Sequence, residues 1–262
     1  MIKIKIRKEI GKKNYLLLAI LAFMALIGVW TLVTELGLVD PIFLPKPMKV
    51  VQYYISAVQD GSLWENTKIS VYRIVLGFVY AVVLGIPVGI LMGTFKKVEA
   101  VIRPLCEFVR YMPVPAFVPL IMVWVGIGEN AKITVIFIGT FFQLVLMVAD
   151  DAMSVPDDLI NAGYTLGCGT SKSIFKILIP AMLPRLMETL RMMIGWAWTY
   201  LVSAELVAAN SGLGYTILKS QRFLATDAIF GGIILIGLLG LITDRIFALI
   251  NKKLFHWVEG GR

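Results

Sequence analysis

Six apolar runs divide the chain at 15–38, 71–95, 102–125, 133–149, 186–209 and 228–250, each ended by charged, glycine or proline residues. About 18 or more apolar residues with few charges read as a transmembrane helix, because about 20 residues at 1.5 Å each cross the hydrocarbon. The run at 133–149 is short, but it is flanked by Lys132 and by Asp150 and Asp151. The pattern predicts an all-α integral membrane protein with six transmembrane helices in a single domain over 1–262. No soluble domain, low-complexity tract or extended linker interrupts it. Between the first two runs, Pro41, Pro45 and Pro47 precede Met48–Val58, which reads as an interfacial helix with Tyr53 and Tyr54 at the membrane boundary.

The polar segments set an orientation. Residues 1–13, MIKIKIRKEIGKK, carry six bases and one acid. The apolar run that follows is about twice the ~7–15 residues of a signal peptide and is followed by no small-x-small cleavage site, so it reads as a retained first span. With residues 1–14 inside, the inner segments (1–14, 96–103, 150–185, 251–262) hold 15 Lys and Arg. The outer ones (39–70, 126–132, 210–227) hold six. That asymmetry places both termini in the cytoplasm of a cell whose plasma (inner) membrane the chain crosses several times.

Composition agrees. The chain is 58% hydrophobic and 16% charged, against about 25% charged in a soluble domain. A net charge of +8 invites a nucleic-acid reading, but these bases flank apolar runs rather than line a polar surface, so no nucleic acid is expected. Cys106 and Cys168 are too few for a metal site or disulfide framework, and His256 has no ligand-spaced neighbours.

Several residues within the spans stand out. Gly85, Gly89 and Gly93 share one helix face and let a neighbour approach closely, within the subunit or across a dimer; Pro87 between them suggests a kink. In the third span Pro113, Pro115 and Pro119 cannot leave a straight helix. Broken backbone at membrane depth is tolerated where it is buried in protein or lines an aqueous cavity, so Pro113 and Pro115 mark a candidate pathway. Glu107 is spaced to pair with Arg110, and Arg110 is equally a pathway residue. Glu205 is either a substrate contact or the centre of a hydrogen-bond network with the turn at Ser211–Gly214. Trp196, Trp198 and Tyr200 line the pathway or pack against neighbours. Arg73 and Arg191 are expected to snorkel to the interface.

The segment 150–185, between spans four and five, is too long for a turn. After Pro156, Asp157 or Asp158 caps a short helix starting at Leu159 that stops at Gly167. A second helix follows from Ser171 to Ile179, with Ile174, Phe175, Leu178 and Ile179 along one side, and Pro180 and Pro184 turn the chain into span five. A helix, a glycine bend and an amphipathic helix make a docking knob. Asp150, Asp151, Asp157 and Asp158 are expected to be capping and solvated loop residues.

This segment resembles the EAA loop of permease subunits of bacterial binding-protein-dependent ABC importers. The family pattern is Glu-Ala-Ala, three residues, Gly, nine residues, Ile-x-Leu-Pro. Here it is Asn161-Ala162-Gly163, three residues, Gly167, nine residues, Ile177-Leu178-Ile179-Pro180, with Asn161, Gly163 and Ile179 as departures. Phe43-Leu44-Pro45-Lys46-Pro47, Trp124-Val125-Gly126-Ile127-Gly128-Glu129 and Ala204–Tyr215 are similar to the branch importing nitrate, sulfonates, taurine or bicarbonate.

The resemblance implies a MetI-like permease fold. It implies a second copy of the chain, two cytoplasmic ATPase subunits that bind ATP and Mg, and a periplasmic or lipid-anchored substrate-binding protein, all working in membrane lipid. Asn161, Ala162, Gly163, Gly167, Ile177 and Pro180 would couple to the ATPase. The chain has no G-x-x-x-x-G-K-[ST] loop and binds no cofactor in this reading; it is a transport subunit, not an enzyme. Another small solute, such as a vitamin precursor, is an alternative substrate. A secondary transporter would show related halves, a channel a filter segment, and a membrane enzyme a nucleophile with a base; none is visible.

Overall fold

The computed structural model describes residues 10–206 and 209–256. The basic stretch up to residue 9, Val207, Ala208 and the tail 257–262 lie outside the described residues. Among those described there are eleven α-helices and one π-helical turn.

Helix α1 (Lys12–Glu35) is exposed over most of its length, with Thr34 near its end buried. It is tied at its far end, where the Trp30 indole donates to the Pro45 carbonyl at 2.9 Å and stacks near Phe230. Helix α2 (Pro47–Gln59) starts on a proline, whose missing N–H would have no partner in a first turn. Tyr53 and Tyr54, expected at the membrane boundary, both pack on Gly231. Tyr54 donates to the Gly231 carbonyl at 2.6 Å, and the Tyr53 ring covers Gly231, which has no side chain to hold it off.

The centre is built from α3 (Ser62–Thr94), α6 (Glu129–Met153) and α9 (Ile179–Glu205). Helix α3 runs through Pro87 as one helix of 33 residues, about 50 Å and longer than the hydrocarbon is thick. Its small residues fit against α6 in step: Gly77 on Ile136, Gly85 on Leu144, Gly89 on Val148 and Gly93 on Ala152. A Cβ at Gly89 would stand 2.6 Å from the Val148 Cβ. The glycine row therefore packs within the subunit. In lipid, where apolar surface gains nothing by leaving water, such close approach is what holds helices together. The two helices run parallel. Helix α9 runs antiparallel to them, with Thr189 beside Asp151 and Tyr200 on Gly139. Helix α11 (Thr226–Leu254) lies along α9, joined by Trp198 to Thr243 and Arg191 to Asp244.

The return from α3 to α6 is broken. The sequence placed one irregular span at 102–125; the structure has α4 (Lys96–Arg110) and α5 (Val114–Val125), bent by 103°. Helix α4 follows the late half of α6, with Arg103 on Asp150 and Arg110 near Gln143. Helix α5 follows the early half, where Val118 and Met122 face Ala131 and Val135. The pair thus retraces α6 from end to end.

By length and apolarity four helices suit a membrane crossing, α1, α3, α6 and α11, and a fifth if the bent pair is one span. The run at 186–209 falls in α9, which lies beside α6 but carries Glu188 and Arg191.

Candidate functional site

The sequence-predicted residues fall at three depths of this bundle. At the end holding Met153, α7 (Asp157–Thr165) begins two residues earlier than expected. Asp157 and Asp158 lie in its first turn and make no side-chain cap; they face the positive end of the helix dipole instead. Asn161 and Ala162 are exposed, whereas Gly163 is buried against Ile177. The helix ends in a paired cap: the Cys168 N–H donates to the Gly163 carbonyl and the Gly167 N–H to the Tyr164 carbonyl, both at 3.0 Å. Gly167 has φ +80°, the left-handed value this motif needs.

Pro180 and Pro184 lie within a continuous helix rather than at a break. Helix α8 (Thr170–Ser173) passes through the π turn Ile174–Leu178 directly into α9. The turn widens the register so that the Ile179 N–H reaches the Ile174 carbonyl, just before Pro180, which has no N–H to offer. Residues 170–205 therefore form one continuous rod. Leu178 is buried, but Phe175 points outward, as do Leu159, Tyr164 and Leu166. Asp151 is no solvated loop residue: it is buried and accepts from the Thr189 hydroxyl at 2.6 Å, with Arg185 at 3.3 Å. Asp150 is exposed and paired with Arg103.

At mid-depth, the break between α4 and α5 opens a cleft of about 340 Å³ against α6 and α9. Arg110, Tyr111, Gln143, Trp196 and Tyr200 line it; Pro113, exposed between the lining residues Met112 and Val114, marks the break itself. The expected Arg110–Glu107 pair is not formed; Glu107 leans toward Arg103 instead. Arg110 donates to the Tyr111 hydroxyl at 2.8 Å and to Gln143 at 3.4 Å, and its guanidinium lies 4.7 Å from the Tyr111 ring centre. Gln143 is missing from the sequence-derived set because a lone glutamine in an apolar run carries no motif. Pro115 is exposed at the start of α5. Trp198 is turned away from this cleft, buried, with its indole on Thr243.

At the opposite end a buried ionic network joins α3, α6, α9 and the turn before α10 (Leu213–Arg222). Arg73 does not snorkel; its side chain is fully buried. It grips Glu129 with two nitrogens at 2.6 and 2.7 Å, and Glu205 with a third at 2.6 Å. That third nitrogen also donates to the Ser211 carbonyl at 2.8 Å. Glu205, equally buried, accepts from the Ser70 hydroxyl at 2.8 Å and the Gly214 N–H at 2.7 Å. Lys132 closes the set on Glu129 at 2.7 Å. A Cβ at Gly212, where φ is +117°, would lie 2.4 Å from the Glu205 carboxyl carbon, so this glycine lets the turn close on the carboxylate. Arg191 is likewise neutralised, by Asp244 at 2.6 and 2.9 Å.

With this geometry in view, the comparisons with known proteins are specific. Residues 85–256 match the family model described as binding-protein-dependent transport system inner membrane component. The chain is similar to the taurine transport system permease protein of Escherichia coli (strain K12), 33% identical over 92% of this chain and 89% of that one. It is similar to the putative aliphatic sulfonates transport permease protein of Bacillus subtilis (strain 168), 33% identical over 96% and 92%. In fold it resembles the MetNI methionine ABC transporter in inward-facing conformations, with a TM-score of 0.56 and 22% identity, covering 73% of this chain and 95% of that one.

Proposed function

The chain belongs to the inner-membrane components of binding-protein-dependent transport systems, the permeases of ABC importers, and from that premise we propose how it works. Two copies enclose the translocation pathway for a small anion such as nitrate, a sulfonate, taurine or bicarbonate. Separate ATPase subunits bind ATP and Mg and dock on segment 157–180, and a substrate-binding protein delivers the anion at the opposite face. Both termini are cytoplasmic.

The observation that carries the coupling step is the rod 170–205. Helix α7 is packed on it by Gly163 against Ile177, and its own end is fixed by the cap at Gly167. The exposed Asn161–Ala162 face, with Leu159, Tyr164, Leu166 and Phe175, offers the ATPase an apolar grip. When ATP closes the ATPase pair, a push on α7 passes through the π turn into α9. That helix carries Trp196 and Tyr200 at the cleft and Glu205 in the ionic network. Rigid-body rocking of this kind alternates access from one side to the other.

The test is co-purification of the tagged chain from detergent-solubilised membranes. An equimolar ATPase is expected, and it should be lost in Ala162→Asp, which puts a charge on the docking face. A chain that purifies alone even after gentle cross-linking would remove the basis of this reading.

A further inference from the structure

Resting on the importer reading, a further inference concerns what the mid-depth cleft recognises. Gln143 is the fifteenth residue of the 25 in α6, so Arg110 beside it lies about 15–20 Å from either end of that helix. An arginine at that depth cannot face hydrocarbon without a large penalty; it faces protein or an aqueous cavity. Arg73, Arg103 and Arg191 each hold a carboxylate at 2.9 Å or closer. The hydrogen-bond partners of Arg110 are an amide oxygen and a phenol, both neutral. Its charge is thus held by dipoles and one ring face, an arrangement that leaves it ready for an anion.

The rest of the wall is of another kind. Trp196 and Tyr200 lie 6.2 Å apart by ring centres on one side of α9. The Tyr200 ring rests against Gly139, where a Cβ would come within 2.6 Å of it. This glycine lets the phenol lie against the α6 backbone and so leaves room beside Gln143. Alanine there would push the ring into the cleft. A bare inorganic oxyanion gains nothing from aromatic walls, and about 340 Å³ is the size of a small organic ligand site.

We propose that this cleft is a recognition site for an organic anion with a compact oxyanion head and a short apolar stem. Arg110 and the Gln143 amide take the head, Trp196 and Tyr200 take the stem, and Gly139 sets the width.

The test uses the permease–ATPase complex in phosphatidylcholine nanodiscs, without binding protein and without anionic lipid. Tryptophan fluorescence is read against 1-butanesulfonate and against nitrate. Saturable quenching by butanesulfonate is expected, absent in Trp196→Phe and at least about tenfold tighter than any response to nitrate. Arg110→Gln should weaken it about tenfold or more, the loss of one charge-assisted contact. Arg110→Lys should restore part of it, and Gly139→Ala and Gln143→Leu should each weaken it severalfold. Wild-type binding that is absent, indifferent to Arg110→Gln, or as tight for nitrate would overturn the proposal. Co-purification of the ATPase, scored on the same preparations, reports separately on the importer reading and on the folding of each variant.

Discussion

Replacing Arg73 by methionine removes the one cation between two carboxylates and leaves their surroundings unequal. Glu129 has a side chain 41% exposed and keeps Lys132 at 2.7 Å. Glu205 has no exposure and keeps, among the described residues, the Ser70 hydroxyl and the Gly214 N–H. Removing one partner of a buried pair destabilises by about 3–5 kcal/mol, because the remaining charge has neither water nor counter-ion. Most of that loss therefore belongs to Glu205. Adding Glu205→Gln removes the stranded charge while an amide can still hydrogen-bond in its place. The double variant should recover about 2–3 kcal/mol of the deficit, a coupling typical of residues in one network. Thermal unfolding of the nanodisc-embedded complex reads the effect: Arg73→Met should lower Tm by on the order of 10 °C, and the double variant by clearly less. A loss below about 1 kcal/mol for Arg73→Met, or strict additivity in the double variant, would refute the view of this network as a buried, mutually dependent clamp.

Other expectations follow from single contacts. Gly89→Ala sets a methyl 2.6 Å from Val148 and 2.8 Å from the Val145 carbonyl, so α3 and α6 must part, at about 1–3 kcal/mol; Gly85→Ala meets only the end of Leu144 at 3.2 Å and should lower Tm less. Gly167→Pro cannot adopt φ +80° and breaks the cap of α7, so ATPase activity should persist while transport into proteoliposomes fails; normal transport would contradict the lever. Thr189→Val withdraws the 2.6 Å hydrogen bond from buried Asp151 and should cost about 1–3 kcal/mol, read as a lowered Tm that Asp151→Asn partly restores.

How far the sequence foretold this can be followed along one helix face. Gly85, Gly89 and Gly93 were visible by their spacing, but the row is longer. Gly77 and the fully buried Ala81 continue it, and Arg73 is its next member. Reading the row through alanine would have pointed Arg73 at α6 rather than at the interface. Helix α7 and its glycine stop were legible because Pro156 and Gly167 act locally. The continuation past Pro180 was not, since a π turn five residues long carries no local signature and makes a proline compatible with an unbroken rod. Gln143 and Asp151 matter through partners on α4 and α9, distant in sequence, and pairing of that kind leaves no trace in periodicity.

The interrupted span also has an electrical character. Pro113 and Pro115 have no N–H, so two backbone donors are missing where α5 begins, and Pro119 removes a third one turn further on. The Ala116 N–H is spent on the Pro113 carbonyl at 2.9 Å. The first turn of α5 therefore presents fewer free N–H groups than an ordinary helix start, which thins the positive end of its dipole just beyond Arg110. On the importer reading, an anion held at Arg110 would find no second strong anion site at the start of α5. Passage needs a site strong enough to be entered and weak enough to be left, and on that reading Pro113 and Pro115 keep the helix start from tightening the hold.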